Sequence, residues 1–245
     1  CRKAVAGSPD DIRLGYQLGR LLAAGGDPEG VGYLERAAEK GYRAAQHLYG
    51  LILGSDYLGA QDSEPSRHLI AKAAAAGHAA AQVHLARLHW LGNGVKRDVA
   101  QAIRWYRAAA KQGSPEAAVA LAEAHLAGEG VAKDAAKAFA ILEVPLAAGD
   151  NRARTLAASL YVLGEGVAAD PVKGRELLET AAGEGHLGAA LNLGLYYQSG
   201  IFSGRQGKPS AADQEADREA ARRWMCRAGI QGRRARRESV GGGCP

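Results

Sequence analysis

Small and apolar positions return along this chain at one fixed interval. Gly41, Gly77, Gly113, Gly149 and Gly185 stand 36 residues apart, each time. Four residues after each glycine comes an alanine: Ala45, Ala81, Ala117, Ala153 and Ala189. Gly50, Ala86, Ala122, Ala158 and Gly194 form a small-residue column nine after, and Gly92, Gly128, Gly164 and Gly200 another at fifteen after. Asp62, Asp98, Asp134 and Asp170 complete the frame. Self-similarity at a period of this length marks a repeat array.

Within one period the pattern predicts two helices. In Ser114 to Gly149, Pro115 opens helix A in its first turn, where a missing N–H costs nothing. Ala117, Leu121, Ala122 and Leu126 follow at helical spacing. Gly128 is placed to end the helix with a positive φ, and a Gly-Glu-Gly-Val turn carries the chain to Val131. Asp134 is then a natural N-cap for helix B, its carboxylate accepting from orphan N–H groups. Helix B runs through Ala138, Phe139 and Leu142 toward Gly149. Asp170 and Pro171 repeat this logic as N-cap and N1.

One such pair has too little core to stand alone, so neighbouring pairs must cover its apolar faces. The small columns mark the closest backbone approaches. Replacing Ala122 with leucine is expected to overpack such a contact at a cost of ~1–3 kcal/mol.

The frame divides the chain into a linker at 1–7, an array at 8–232 and a basic, glycine-rich tail at 233–245. The repeats run about 8–41, 42–77, 78–113, 114–149, 150–185 and 186–232. Ser8, Pro9 and Asp10 are expected to open the first helix. The second turn, residues 54–62, has Gly54 and Gly59 but lacks the regular turn sequence. In the last repeat Ala221-Arg-Arg-Trp224 aligns with Ala102-Ile-Arg-Trp105, which makes Asp217 the counterpart of Asp98 and both Asp217 and Gly232 late by 11 residues. The insertion falls at about 201–216, between helices A and B. Its Gly204, Gly207, Lys208, Pro209 and Ser210 read as a loop, either a partner contact or an ordinary tolerated insertion.

Composition sharpens the picture. Apolar residues make up 47% of the 245 but aromatics only 6%, so the core is thin and alanine-rich rather than thick. The net charge of +5 is partly local, since Arg233, Arg234, Arg236 and Arg237 crowd the C-terminal tail. No basic stripe with interleaved aromatics runs along the array, which argues against a nucleic-acid partner. No apolar run approaches the ~18 residues that span a bilayer.

Leu91-Gly-Asn-Gly-Val-Lys-Arg-Asp98 and Ala102-Ile-Arg-Trp-Tyr-Arg-Ala-Ala109, closing at Gly113, closely resemble the Sel1-like repeat, a relative of the tetratricopeptide repeat. The resemblance covers about residues 8–232. It implies an all-α, right-handed α-solenoid of about six two-helix repeats that binds another protein, with no cofactor. In the related tetratricopeptide arrays helix A lines a concave face. Carried over, that geometry places three columns there. One holds His47, Val83, Val119, Thr155 and Leu191. A second holds Leu51, Arg87, Glu123, Ser159 and Leu195. A third holds Gly54, Trp90, Leu126, Val162 and Gln198. These columns vary while their neighbours repeat, as a partner-facing surface should. Trp90 and Arg87 are the expected anchors, since both residue types are enriched at binding hot spots; the bland alternative for Trp90 is packing within the array.

Three cysteines leave one without a partner. A chain opening on Cys1 matches the mature start of exported bacterial lipoproteins, where that residue carries the lipid and tethers the protein to a membrane. Cys226 and Cys244 then form a pair able to pin the tail over the last apolar face as a cap, in an oxidising periplasm. The other reading makes Cys1 an ordinary boundary residue and the other two free thiols.

Candidate chemistry is sparse. His47, His68, His78, His84, His89, His125 and His186 are scattered, and none completes a ligand triad of familiar spacing. His89 and His125 share a column with Tyr161 and Tyr197, which suits packing. No Gly-x-Ser-x-Gly elbow, P-loop or dinucleotide fingerprint is present, so no enzyme is expected. Among Sel1-like proteins the resemblance implies three partner classes. The first is a secreted phospholipase toxin of type VI secretion, neutralised in the periplasm by this chain as an immunity protein. The second is an envelope assembly such as exopolysaccharide export, served by a lipoprotein scaffold. The third is a signalling pathway joined by an adaptor. Array length and the periplasmic cues favour the immunity role.

Overall fold

The structure, a computed structural model, describes residues 7–8, 10–55, 63–203 and 211–229. Among them are twelve α-helices and no strand. These are α1 (Ile12–Ala24), α2 (Glu29–Glu39), α3 (Arg43–Leu53), α4 (Ser63–Ala75), α5 (Ala79–Leu91), α6 (Val99–Ala110), α7 (Pro115–Ala127), α8 (Ala135–Ala147), α9 (Asn151–Leu163), α10 (Pro171–Gly183), α11 (Leu187–Ser199) and α12 (Ala211–Arg227), with a 3-10 turn at Ile201–Ser203. Contacts divide the chain into two compact bodies, residues 1–118 and 119–245, the division falling inside α7.

The helix boundaries follow the caps. Asp98, Asp134 and Asp170 each accept from the backbone N–H three residues on, at 2.8, 2.9 and 3.0 Å. The backbone N–H of each aspartate in turn donates to the helix A before it, at His89, His125 and Tyr161, over 2.8–2.9 Å. One residue type therefore closes the turn and starts the next helix. Gly164 ends α9 with φ +68, the left-handed conformation that favours glycine. Two caps differ from expectation. The first helix is opened by Asp11, whose Oδ1 accepts from Arg13 and Leu14 at 2.9 and 3.0 Å, rather than by the residues before it. Asp217 is not an N-cap, because α12 already starts at Ala211. The Ala-Ala-Asp-Gln-Glu run ahead of it is made largely of good helix formers, and Glu215 pairs with Arg218 and Arg222 at 3.6 and 2.9 Å. The rest of the insertion, 204–210, lies outside the described residues, as do Asp62, Gly59, the basic tail, Cys1 and Cys244.

In the N-terminal body α1 packs on α2, α3 on α4 and α5 on α6, while α2–α3 and α4–α5 join successive pairs. Ala37, Ala38 and Ala45 form one buried centre, and Ile70, Ala73, Ala74, Ala81 and Leu85 another. Two buried glutamines lock the joins. Gln46 Nε2 donates to the Ala38 carbonyl at 3.2 Å, and Gln82, 36 residues later, to Ala74 at 3.1 Å. Each adds a second donor to a carbonyl in the last turn of a helix B, which already accepts from the Gly41 or Gly77 N–H at 3.0 Å.

The C-terminal body repeats the plan. Val119, Ala122, Ala138, Leu142, Ala153, Ala157 and Leu160 form one core, and Ala158, Leu178, Ala181, Ala189 and Leu193 are central to the next. Helices A and B cross where both carry a small residue. A Cβ on Gly174 of α10 would lie 2.9 Å from the Ala158 carbonyl of α9, and one on Gly194 of α11 would lie 3.4 Å from the Ala221 carbonyl of α12. The second column of small residues, Gly30, Ser66, Ala102, Ala138, Gly174 and Ala221, was hidden in the sequence because it starts and ends irregularly. It sits 16 residues after the first column in regular repeats and 27 after it in the last. The 11 extra residues are thus absorbed before the crossing, partly as a longer connection and partly as added turns at the start of α12, and the crossing is preserved.

Candidate partner-binding surface

Within the N-terminal body the expected columns meet on α3, α5 and the start of α7. His47 projects from the middle of α3. His78 precedes α5, and its Nδ1 accepts from the Ala81 backbone N–H at 3.2 Å, so it serves as N-cap in its neutral form. The His47 ring lies 5.1 Å from that of His78 and 6.0 Å from that of His84, centre to centre. Burial, followed by the nearby His78 and His84, holds the His47 pKa down at about 4. Burial lowers His78 and His84 too, helped by the charges of Arg43 and Arg87 respectively. The His47 Nε2 is buried with no hydrogen-bond partner from the protein.

His47 and His84 border a cavity of about 390 Å³ with Leu51, Val83 and Arg87. A second cavity of about 160 Å³ shares Leu51 and His84 and reaches Arg67 of α4. At the rim Arg87 pairs with Glu116 of α7 at 3.6 Å, both side chains half exposed or more. Trp90 is half-buried and meets the buried Tyr106 edge-on at 6.4 Å, while its carbonyl accepts from Arg97 Nε at 3.1 Å. It is anchored to its own repeat.

In the C-terminal body the same columns form a polar ladder. Glu123 of α7 pairs with Arg152 of α9 at 2.9 Å. Thr155 Oγ1 donates to the Asn151 carbonyl at 2.7 Å and lies 3.0 Å from His186 Nδ1. Ser159 donates to the Thr155 carbonyl and accepts from Asn192 of α11 at 3.3 Å. His186 caps α11 through Nδ1 as His78 caps α5.

Exposure sorts the expected binding residues into three groups. Val83, Val119, Thr155 and Val162 are buried and offer a partner no open surface. Trp90, Leu126, Ser159 and Leu191 are half-buried, with Leu126 packed on the Val119 core. Arg87, Glu123, Leu195 and Gln198 are exposed, Leu195 at 46%. Val119 looks inward at the core it shares with Ala153 and Ala157 of α9, and Val162 at Gly174 of its own helix B.

The histidine cluster was missed in the sequence. The period carries the signal: 36 residues after His47 is Val83, the neighbour of His84, so folding the sequence on its repeat sets the two rings side by side. His125 is buried with its Nδ1 3.1 Å from the Ala132 carbonyl, a packing role. Among the described residues no group of histidine, cysteine or acidic side chains is arranged to hold a metal ion. No described helix is long and apolar enough to cross a membrane. Cys226, on α12, enters a disulfide. The cysteine expected to pair with it, Cys244, lies outside the described residues.

A family model for the Sel1 repeat matches six segments, 11–42, 43–78, 79–114, 115–143, 152–186 and 188–232. A Sel1 repeat protein from Oxalobacter formigenes superposes with TM-score 0.73 at 26% identity, covering 88% of this chain and 89% of its own. The protective antigen c5321 of uropathogenic Escherichia coli aligns at TM-score 0.53 and 22% identity, over 95% of this chain and 59% of its own. The immunity protein Pa5087 from Pseudomonas aeruginosa aligns at TM-score 0.50 and 19% identity, over 91% and 83%. No curated protein matches the chain.

Proposed function

The chain belongs to the Sel1 repeat family, and on that premise we propose that it is an immunity protein, which binds a secreted toxin and blocks it. Its six Sel1 repeats form an all-α solenoid, a scaffold for protein–protein interaction. The observation that carries the proposal is the contrast between inner and outer positions of the A helices. Caps, turns and crossings repeat from one unit to the next, while the exposed positions read Arg87, Glu123 and Leu195. Repeating positions serve the stack; positions free to differ serve a partner. Pa5087, named as an immunity protein, has the same fold over most of both chains, which supports the role for an array of this size. We place the action in the periplasm, with a phospholipase as the toxin.

Affinity capture from the native cell envelope, read by mass spectrometry, tests the partner. A protection assay tests the role: cells directing the captured toxin to the periplasm should regain growth when this chain is co-expressed. Capture of polysaccharide-export components with no protection would overturn the immunity reading in favour of an envelope scaffold.

A further inference from the structure

The N-terminal body carries one surface feature that stacking leaves open. The groove between α3 and α5 joins the two cavities through Leu51 and His84. Among the described residues Arg67 of α4 and Arg87 of α5 line it against the carboxylate of Glu116 from α7. Arg43 of α3 adds its charge beside His78 while its guanidinium donates to the Ala76 and Gly77 carbonyls at 3.2 and 3.5 Å. The α2 carboxylates Glu35 and Glu39 do not join it. They act on Tyr49, whose O–H donates to Glu35 at 2.8 Å and whose pKa rises to about 12 through burial and those acids. Tyr49 is two residues beyond His47 and so on another face of α3.

The Arg87–Glu116 pair is no obstacle to a ligand. It is solvent-exposed at 61% and 50%, and such pairs contribute little. An incoming carboxylate can replace Glu116 and gain a planar guanidinium suited to two parallel hydrogen bonds. Below it lies the buried His47 Nε2, which lacks a protein partner.

We propose that this groove binds an acidic segment of the protein partner, with Arg87 taking a carboxylate at the rim and His47 and His84 adding positive charge beneath it as the pH falls. The inference rests on the protein-binding reading above and gives that partner its chemistry. A carboxylate beside an imidazole favours the protonated ring, so binding takes up protons and tightens on acidification. Both His47 and His84 titrate below the usual 6.5 in the free protein. The gain through His84 therefore falls below pH 6.5, where glutamate side chains are still largely ionised, while His47 joins only as bound carboxylate raises it from about 4.

The test uses the full chain and a fluorescent hexaglutamate peptide, with hexalysine as control, at low ionic strength. The expected result is hexaglutamate binding that strengthens at least threefold from pH 7.5 to 5.5. Arg87→Ala and His84→Gln should each weaken it about fivefold or more, and Arg152→Ala in the C-terminal body should leave it unchanged. Circular dichroism at each pH and for each variant establishes that the chain stays folded. An NMR titration of the imidazole signals needs no variant: the His47 and His84 pKa values should rise on adding hexaglutamate. Binding that is absent, insensitive to pH or equally strong in Arg87→Ala overturns the proposal, as do histidine signals that ignore the peptide. If a captured protein partner binds the two variants as well as it binds the parent, the groove is refuted and the interaction role stands. Groove binding of hexaglutamate with no captured partner has the opposite meaning.

Discussion

Gly174→Ala puts the crossing of α9 and α10 to a direct test. Gly174 is buried in the first turn of α10. An added Cβ would stand 2.5 Å from Val162 Cγ2, 2.9 Å from the Ala158 carbonyl oxygen and 3.3 Å from the Val162 nitrogen. Two of these three atoms are backbone, and the Val162 side chain is only 4% exposed and stiff at χ1. Nothing there yields without moving the helices apart. Overpacking of this kind costs ~1–3 kcal/mol. Against it stands the helix propensity of alanine over glycine, about 1 kcal/mol in favour of the variant. The net expectation runs from neutral to about 2 kcal/mol of destabilisation. Gly183, at the end of the same helix, isolates the propensity effect, because a Cβ there meets nothing within 4 Å. Gly183→Ala should stabilise by ~0.5–1 kcal/mol. Urea unfolding followed at 222 nm should then separate the two variants by ~1–3 kcal/mol, with Gly174→Ala the weaker. Equal stabilities, or the reverse order, would refute the tight crossing.

Other expectations are simpler. Asp134→Ala should lose ~1 kcal/mol in the same unfolding assay and Asp134→Asn much less, since the cap to Lys137 needs only an oxygen acceptor. Ala122, fully buried in the core beside Leu142, should tolerate leucine only at ~1–3 kcal/mol, read as a lower melting temperature. His47 is held neutral in the folded state, at a pKa of about 4 against the ordinary 6.5, so the unfolded chain takes up its proton first. Its contribution to stability is full above pH 6.5 and declines as the pH falls from there toward 4; His47→Gln should flatten that decline in urea titrations at pH 7 and 5. Trp90→Ala should destabilise by about 2 kcal/mol through its contact with Tyr106, with partner affinity measured separately to read any anchoring role.

The helices were legible because their punctuation is chemical. Asp98, Asp134 and Asp170 must cap, and Gly92, Gly128 and Gly164 must turn, so the period reads straight off the chain. The start of α12 was obscured because Asp217 looks like another cap. A residue type suited to capping does not force a break when the residues before it are themselves good helix formers. The surface was harder to read. A column of varied residues can face a partner or pack within the array, and Val119 and Val162 are buried, Val119 in the core it shares with α9 and Val162 against Gly174 of α10. Only packing distinguishes the two. The histidine cluster needed the stacking of α3 on α5 through the helix between them, which no single repeat contains.

The crossing of each A helix with its own B helix has a consequence for how the protein is made. In the regular repeats the paired small residues are 16 positions apart, and even across the insertion they are only 27 apart. Nearly every structural decision is therefore local in sequence, and chains rich in local contacts fold fast because little loop entropy is lost before contacts form. Each hairpin can close soon after it leaves the ribosome and wait there as a template for the next. The last repeat is the exception. Its crossing residue, Ala221, arrives 11 residues late, so until then the apolar face of α11 stands open, the most exposed moment in the chain's assembly.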